Sequence, residues 1–291
     1  MNTFVRVVEA GSFAAVAEQM QVARSAVTRQ VAGLEQHLRV KLLTRSTRSL
    51  SLTAAGAAYL EQCRTILGLV DAAESGLAEP EALGGRLRLG LPLSFGLGEL
   101  MPAVMDFARQ HPDIHLELHY SDQRANLVEE GLDLSIRITG ELQASDIVRR
   151  LGRCRILAVA SPAYLAARGT PRRPDDLTRH DCLVYSLGPS RYRWNFQRGG
   201  QAVTVTVRPR LVADNGTALV QAAAQGLGVA LQPDFIVQPF LDSGQVTEIL
   251  KGFERQPLGI FAVLPSNRYI PRRVSALMDH LQAAMDRSGR A

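Results

Sequence analysis

Residues 24–38 read Arg-Ser-Ala-Val-Thr-Arg-Gln-Val-Ala-Gly-Leu-Glu-Gln-His-Leu, and this stretch decides how the first part of the chain folds. Its apolar residues recur at three- and four-residue spacing, which predicts a helix with one buried face: Val27, Val31, Leu34 and Leu38. Polar and basic side chains take the other faces near its start: Ser25, Thr28, Arg29 and Gln30. The helix therefore presents hydrogen-bonding groups at the end where it begins.

The residues before this helix predict two shorter helices. A helical face runs through residues 2–10, Gly11 breaks it, and Ser12 is a good cap for a second helix that ends near Met20. Two short helices joined by a tight break at residues 21–23 form a helix-turn-helix, whose second helix meets base edges in the major groove. Arg pairs with guanine there, and Gln pairs with adenine. An ordinary αα-hairpin with a solvated basic face gives the same pattern.

The residues after the helix add a charged hairpin. Residues 49–52 alternate Ser and Leu, which is typical of a strand. The turn before them predicts a β-wing in which Arg45 and Arg48 contact phosphate or the minor groove, and an ordinary exposed hairpin tip is the alternative. Residues 1–57 contain seven Lys and Arg against three Glu, which accounts for +4 of the chain's net charge of +5. This asymmetry favours a nucleic-acid-binding module with an appended domain.

Length and composition exclude several classes of protein. The 291 residues are 46% hydrophobic and 21% charged, as in globular proteins of one to three domains. No apolar run reaches the roughly 18 residues of a membrane-spanning helix, and the N-terminus lacks the apolar stretch of a secretory signal. Cys63, Cys154 and Cys182 lie too far apart to form a CxxC metal motif, and three sparse cysteines fit a reducing compartment. We therefore expect a cytoplasmic protein.

A long helix is predicted from Thr53, a good N-cap, to Pro80. Its apolar residues take heptad a/d spacing, interrupted by Glu74: Leu60, Cys63, Leu67, Val70 and Leu77. Such a stripe packs either on a partner helix or on the chain's own core.

After the glycines at positions 84 and 85, strands and helices alternate, which predicts an open, mostly parallel sheet with helices on both faces. The predicted strands cover residues 86–93, 114–120, 132–138, 156–160, 228–231 and 260–264. The predicted helices cover residues 97–110, 125–130, 217–225 and 274–287. Trp194 is expected to anchor a further strand in the second half of this body.

The body lacks the motifs of common enzymes. Residues 90–96 have Pro where a GxSxG nucleophile elbow needs another arrangement, and residues 226–228 lack the third glycine of a dinucleotide loop. His115, Glu117 and His119 share a strand face but spread along it, so a polar sheet face is favoured over a metal site. We expect no catalytic residues, no metal and no cofactor.

The N-terminal residues resemble the winged helix-turn-helix of LysR-type transcriptional regulators in the order and spacing of about twenty positions. These are Gly11-Ser12-Phe13, Val22, Ser25 through Val31, Leu34-Glu35, Leu38, Leu42-Leu43, Arg45, Leu50 through Thr53 and Gly56. The resemblance continues at residues 131–137, 161–165 and 222–228, and so covers nearly the whole chain.

Two positions depart from the family pattern. Arg39 replaces a Gly that would suit a left-handed helix cap, at a cost of about 1 kcal/mol if that conformation is kept. Ala23 stands where Ser or Thr is favoured, so the cap is either lost or passes to Ser25.

The resemblance implies a sequence-specific DNA-binding transcriptional regulator, not an enzyme, of the α/β fold class. It implies a winged helix-turn-helix at residues 1–57, a linker and dimerisation helix with hinge at 58–84, and a two-subdomain periplasmic-binding-protein-like effector domain at 85–291. Subdomain I would comprise 85–161 and 266–291, and subdomain II 162–265. The implied DNA contacts are Arg24, Ser25, Thr28, Arg29, Gln30, Arg45 and Arg48. The five apolar residues of the linker stripe would then pair two subunits.

The resemblance also implies a small-molecule effector between the subdomains. Ligands in open α/β sheets lie beyond the carboxyl ends of strands, where helix N-termini suit anions. We therefore expect a small organic anion near a set of five residues: Ser94, Phe95, Arg137, Asn215 and Thr217. Arg137 could equally form a structural ion pair.

The expected partners are double-stranded promoter or operator DNA, the effector, a second copy of the chain in a dimer or tetramer, and RNA polymerase, but no membrane. A small-molecule binding or transport protein is the alternative that the body alone would support.

Overall fold

The computed structural model describes residues 1–45, 50–75, 83–124, 127, 130–142, 147–188, 191–265 and 270–290. Contacts divide the chain into two units, Met1–Ala82 and Leu83–Ala291. In the described part of the chain, each helix is too short or too polar to span a lipid bilayer.

The first unit contains the predicted winged helix-turn-helix. Its elements are α1 (Asn2–Ala10), α2 (Phe13–Gln19), α3 (Arg24–Leu38), β1 (Leu43–Arg45), β2 (Leu50–Leu52) and α4 (Ala54–Ser75). Strands β1 and β2 pair antiparallel, with Leu43 opposite Leu52. The Ser12 hydroxyl accepts hydrogen bonds from the amides of Ala14 and Ala15 at 3.2 and 3.3 Å, which confirms the predicted cap of α2. The first three helices bury a common core of side chains from each of them: Phe4, Val7, Val16, Val27 and Val31.

Helix α3 keeps the left-handed end that the family pattern requires. Arg39 has φ 55° and ψ 30°, and the amides of Arg39 and Val40 donate to the carbonyls of Gln36 and Glu35. The strain anticipated for a non-glycine residue is therefore present at Arg39. At the other end, Ala23 makes no side-chain cap and the helix still begins at Arg24, so the capping bond is lost rather than moved to Ser25.

A buried carboxylate ties the end of α3 to the wing. Glu35 is 9% exposed and accepts hydrogen bonds from the amides of Leu42 and Leu43, at 2.9 and 3.1 Å, and from Lys41 Nζ at 2.7 Å. Burial raises the pKa of Glu35, but the hydrogen bonds from Lys41, Leu43 and Leu42 outweigh it and hold the pKa below its usual value. The ionised side chain therefore fixes how the wing leaves the helix.

The second unit contains two five-stranded sheets. The first has the strand order β4-β3-β5-β14-β6, with β3 (Gly85–Leu91), β4 (Ile114–Tyr120), β5 (Leu134–Thr139), β6 (Ile147–Cys154) and β14 (Leu258–Leu264). The second has the order β11-β8-β12-β7-β13, with β7 (Ile156–Ala160), β8 (Cys182–Tyr185), β11 (Pro209–Ala213), β12 (Val229–Pro233) and β13 (Thr247–Ile249). A separate antiparallel hairpin is formed by β9 (Arg193–Arg198) and β10 (Gln201–Thr206).

Helices cover both sheets. Beside the first sheet lie α5 (Leu93–Phe95), a π-helical turn (Gly96–Leu100), α6 (Met101–Gln110) and α10 (Arg272–Arg287). The second sheet is accompanied by α7 (Pro162–Arg168), a 3-10 turn (Pro174–Arg179), α8 (Gly216–Ala224) and α9 (Asp234–Asp242). The helix predicted over 97–110 thus begins earlier, at Leu93, and the one predicted over 125–130 lies largely outside the described residues.

The prediction of a mostly parallel sheet is wrong. In the first sheet β3 pairs parallel with β4 and β5, whereas β14 pairs antiparallel with β5 and β6. The second sheet has the same mixture, because β8 pairs parallel with β11 and β12 while β7 pairs antiparallel with β12 and β13. The antiparallel strands enter from distant parts of the chain, so alternation along the sequence did not reveal them.

The predicted subdomain boundaries at 161–162 and 265–266 are also wrong. Strand β7 belongs to the second sheet and β14 to the first, so the chain crosses between Cys154 and Ile156 and again between Ile249 and Leu258. The prolines that follow β7 and β14 mark where those strands end. They carry no information on which sheet a strand joins, because that depends on pairing with residues far away in the sequence.

Candidate nucleic-acid interface and effector cleft

The start of α3 presents most of the predicted DNA-reading residues to solvent. Arg24, Ser25, Arg29 and Gln30 are exposed, and Thr28 is half-buried. Ser25, Thr28 and Arg29 share one helix face, since residues three and four apart lie side by side. The opposite face is anchored by Val27 and Val31 in the core, so this polar face points away from the unit.

Gln30 is placed differently from the other four. Its Oε1 accepts a hydrogen bond from Thr3 Oγ1 at 2.6 Å, which links α3 to α1. Bidentate pairing with adenine uses both the oxygen and the nitrogen of a Gln side chain. Gln30 therefore has to release Thr3 before it can read a base in that way.

The wing is described only in part. Arg45 ends β1, and Thr44 and Ser51 join the two strands through their hydroxyl oxygens at 2.8 Å. Arg48 lies outside the described residues. Contacts of Arg45 and Arg48 with DNA remain predictions.

Helix α4 corrects the predicted dimerisation stripe. Thr53 Oγ1 accepts from the Gly56 amide at 2.8 Å, which confirms the predicted cap. Leu60 and Cys63, however, are 7% and 0% exposed and pack into the core of their own unit, so neither side chain is available to a partner.

The alternative of packing on the chain's own core therefore holds for the first half of the stripe, and Leu67 also packs partly against that core. Val70 is 43% exposed, as is Ile66 at 40%, one helical turn earlier. Leu77 lies outside the described residues.

Three of the five predicted effector residues meet in the second unit, where the two sheets face each other. Ser94 Oγ and Thr217 Oγ1 lie 2.7 Å apart. Asn215 caps α8 by accepting from the Ala218 amide at 3.1 Å, and its Nδ2 lies 3.4 Å from Ser94 Oγ. The loop after β3 and the N-terminus of α8 are therefore joined by side-chain hydrogen bonds.

Asp122 belongs to the same group and was missed by the sequence reasoning. Its Oδ1 accepts from the Leu93 amide at 2.9 Å, and its Oδ2 accepts from Asn215 Nδ2 at 3.2 Å. Burial, together with the negative charges of Asp122 and Asp214, raises the pKa of Tyr185, which shows that these carboxylates lie near its hydroxyl. The signal was available, because Asp122 follows β4 directly, at the same sheet edge as the end of β3.

The two remaining predicted effector residues lie elsewhere. Phe95 is fully buried in the core of the first sheet, and its ring contacts that of Phe235 at 4.8 Å between centroids, so its assignment as an effector contact is wrong. Arg137 is half-buried on β5 and stands opposite Phe261 in the antiparallel register with β14. Its role towards an effector remains a prediction.

The polar face of β4 is held by ion pairs. Hydrogen bonds from Arg86 hold the pKa of Glu117 below its usual value against the effect of burial, with Arg88 adding to them. The distances from Glu117 are 2.6 Å to Arg86 Nε and 3.0 Å to Arg88 Nε. Within the described ranges, no group of three or more His, Cys, Asp or Glu residues has the arrangement of a metal site.

The three cysteines are free and buried. Burial raises the pKa of Cys154 and of Cys182 to about 12, with the nearby charges of Asp234 and Asp181 contributing, so both thiols stay protonated at neutral pH.

Comparison with known proteins agrees with both units. Residues 1–57 match the bacterial regulatory helix-turn-helix of the lysR family, and residues 80–286 match the LysR substrate binding domain. The chain therefore belongs to the LysR family, whose members are transcriptional regulators and not enzymes.

Relatives and solved structures extend the match over the full length. The chain is 35% identical over 284 residues to the transcriptional regulator CrgA of Neisseria meningitidis, covering 97% of this chain and 94% of CrgA. An uncharacterized HTH-type transcriptional regulator of Haemophilus influenzae is 34% identical over 279 residues, with 95% and 96% covered. The CrgA crystal structure superposes with a TM-score of 0.63 at 33% identity, covering 97% and 96%. Full-length AphB, a virulence activator of Vibrio cholerae, gives 0.62 at 28%, covering 97% of each chain.

Proposed function

We propose that this LysR-type regulator reads its operator with the exposed face of α3 formed by Ser25, Thr28 and Arg29, flanked by Arg24 and Gln30. The observation that supports this most directly is the exposure of this polar face at the N-terminal end of a helix whose other side is buried. Recognition helices place their first residues on base edges in the major groove. Arg45 and Arg48 hold the wing on the phosphate backbone, adding charge without sequence choice.

Self-association uses the part of α4 beyond the head's own core. Ile66 and Val70 lie one helical turn apart and are large apolar residues exposed to solvent. Burying them against the same residues of a second copy removes apolar surface from water. Dimers formed in this way place two heads on one operator, and dimers of dimers give the tetramer.

A small molecule in the cleft between the two sheets of the second unit modulates DNA binding. The hydrogen bonds among Ser94, Asn215 and Thr217 join the two sides of this cleft, so a ligand that inserts there favours a different relative orientation. The N-terminus of α8 suits an anionic group of that ligand. As a regulator of promoters, the protein acts in the cytoplasm, where RNA polymerase is its further partner.

The test is DNA selection followed by gel-shift titration of Arg29→Ala. The change should cost about 1–3 kcal/mol on the selected sequence and relax the choice of base at defined positions. Arg109→Ala, which removes an exposed Arg from α6, is the matched control and should leave binding unchanged. Unchanged sequence preference for Arg29→Ala would show that this face does not read the operator.

A further inference from the structure

A buried donor without an acceptor lies at the edge of the effector cleft. Gln232 is 3% exposed near the carboxyl end of β12, and its Nε2 makes no hydrogen bond to any residue that the structure describes. Its carboxamide lies against Gly216, the first residue of α8, where an added Cβ would come within 2.5 Å of Gln232 Oε1. Buried polar groups are rarely left without a partner, so this donor calls for an acceptor that the protein itself does not supply.

The same edge offers backbone donors. Helix α8 has nine residues, and its cap, Asn215 Oδ1, satisfies the Ala218 amide. The amides of Gly216 and Thr217 occupy the first two helical positions, which have no acceptor within a helix. Together with Gln232 Nε2 they form a group of donors at the positive end of a helix, which suits a carboxylate.

The facing side of the cleft has the opposite character. Asp122 already accepts from the Leu93 amide, so the carboxylate takes the position that an anion would occupy there. Asp122 Oδ2 accepts from Asn215 Nδ2, and the charges of Asp122 and Asp214 both act on Tyr185. A ligand group on this side must therefore donate hydrogen bonds, and a cation is favoured over an anion.

The side chain of Asn215 already spans the two sides in this sense. Its oxygen accepts from the α8 backbone, and its nitrogen donates to Asp122. An α-amino acid carries the same polarity over a similar span, with full charges in place of partial ones.

We infer that the cleft binds an α-amino acid, with its carboxylate on the amides of Gly216 and Thr217 and on Gln232 Nε2, and its ammonium on Asp122. The inference rests on the proposed function, in which a small molecule in this cleft controls DNA binding. The ammonium takes over the bond that Asn215 Nδ2 donates to Asp122, so binding opens the link between the two sides of the cleft.

Calorimetry on the full chain tests this with matched ligand sets. Leucine, serine and phenylalanine are each compared with the corresponding 2-hydroxy acid, which lacks the ammonium, and with the corresponding amine, which lacks the carboxylate. At least one amino acid should bind, and both of its one-armed analogues should bind about tenfold more weakly or worse.

Variants separate the two ends of the ligand. Asp122→Asn keeps an acceptor for the Leu93 amide but removes the charge, and should weaken amino-acid binding about tenfold while leaving the 2-hydroxy acid unaffected. Gln232→Leu should weaken both carboxylate-bearing ligands and leave the amine unaffected. Asp242→Asn is the control, because Asp242 pairs with Gln238 at the exposed end of α9. Asn215→Ser keeps a helix cap but removes the competing donor, and should tighten amino-acid binding even if Asp122→Asn fails to fold.

Binding only of compounds without an ammonium, or unchanged amino-acid affinity in both Asp122→Asn and Asn215→Ser, would overturn the inference. Gel shifts on selected DNA distinguish it from the proposed function. DNA binding with no amino acid bound overturns the inference alone. An amino acid that binds in the cleft without altering DNA affinity supports the inference and contradicts effector control.

Discussion

Replacing Glu35 should unfold the DNA-binding head selectively, with a magnitude that its hydrogen bonds determine. Glu35 Oε1 satisfies the amides of Leu42 and Leu43, both in buried residues, and Oε2 pairs with Lys41. Glu35→Ala leaves two buried amides without an acceptor, and each such amide costs about 1–3 kcal/mol, so we expect a loss of about 2–5 kcal/mol. Glu35→Gln keeps an oxygen for both amides and loses only the pair with Lys41.

That pair contributes little, because the Lys41 side chain is 77% exposed and solvent screens it. Glu35→Gln should therefore cost about 1 kcal/mol or less. The contribution of the charge is complete above the ordinary Glu pKa of 4.5 and is lost as the pH falls through the lowered folded-state pKa. Wild type should lose head stability below pH 4.5 more steeply than Glu35→Gln does.

Urea unfolding with two probes measures this effect. The single tryptophan, Trp194, lies in the second unit, so its fluorescence reports that unit, whereas far-ultraviolet circular dichroism reports helices of both. Glu35→Ala should shift the dichroism transition and leave the fluorescence transition in place. Glu18→Ala, which removes an exposed carboxylate from α2, is the control. Equal losses in Glu35→Ala and Glu35→Gln would refute the argument from buried amides.

Three further changes test other parts of the structure. Arg39→Gly should stabilise the head by about 1 kcal/mol in the dichroism transition, because Arg39 has φ 55° and glycine adopts that conformation without strain; no gain would mean that Arg39 is not strained. Val70→Glu should dissociate the subunits in light scattering while the head stays folded, and an unchanged mass would exclude Val70 from the interface. Arg290→Ala should lower the melting temperature of the second unit by about 4–8 °C at a cost of about 2 kcal/mol, because Arg290 bridges Glu99 at 3.1 Å and Asp234 at 2.9 Å. An unchanged melting temperature would show that this bridge contributes nothing.

The head was predictable because its signals are local. The buried stripe of α3, the Ser12 cap and the break at Gly11 each depend on residues within one or two helical turns, and the structure confirms all three. The same holds for the Thr53 cap of α4. The fate of the stripe along α4 was not predictable, because heptad spacing states that a face is buried but not what buries it. Contacts with α1 and the wing decided that Leu60 and Cys63 belong to the head.

In the second unit the sequence located elements whose apolar pattern is self-contained, such as β4 and β7. It missed β6, β8, β11 and β13, which are short or carry charged residues and become strands by pairing with distant partners. The same dependence on non-local pairing made the subdomain boundaries wrong.

The sequence by itself determined the order of the elements, the basic head and the two helix-start loops at Ser94 and Asn215, because each depends on near neighbours and on residue chemistry. Only the tertiary structure decided that Phe95 is a core residue, that Asp122 joins the cleft, and that Gln232 lies buried beside Gly216. Residues separated by about a hundred positions come together there through the crossing of the chain between two sheets. No local pattern records that event, since the free energy that selects it is distributed over the strand pairs and cores of both sheets.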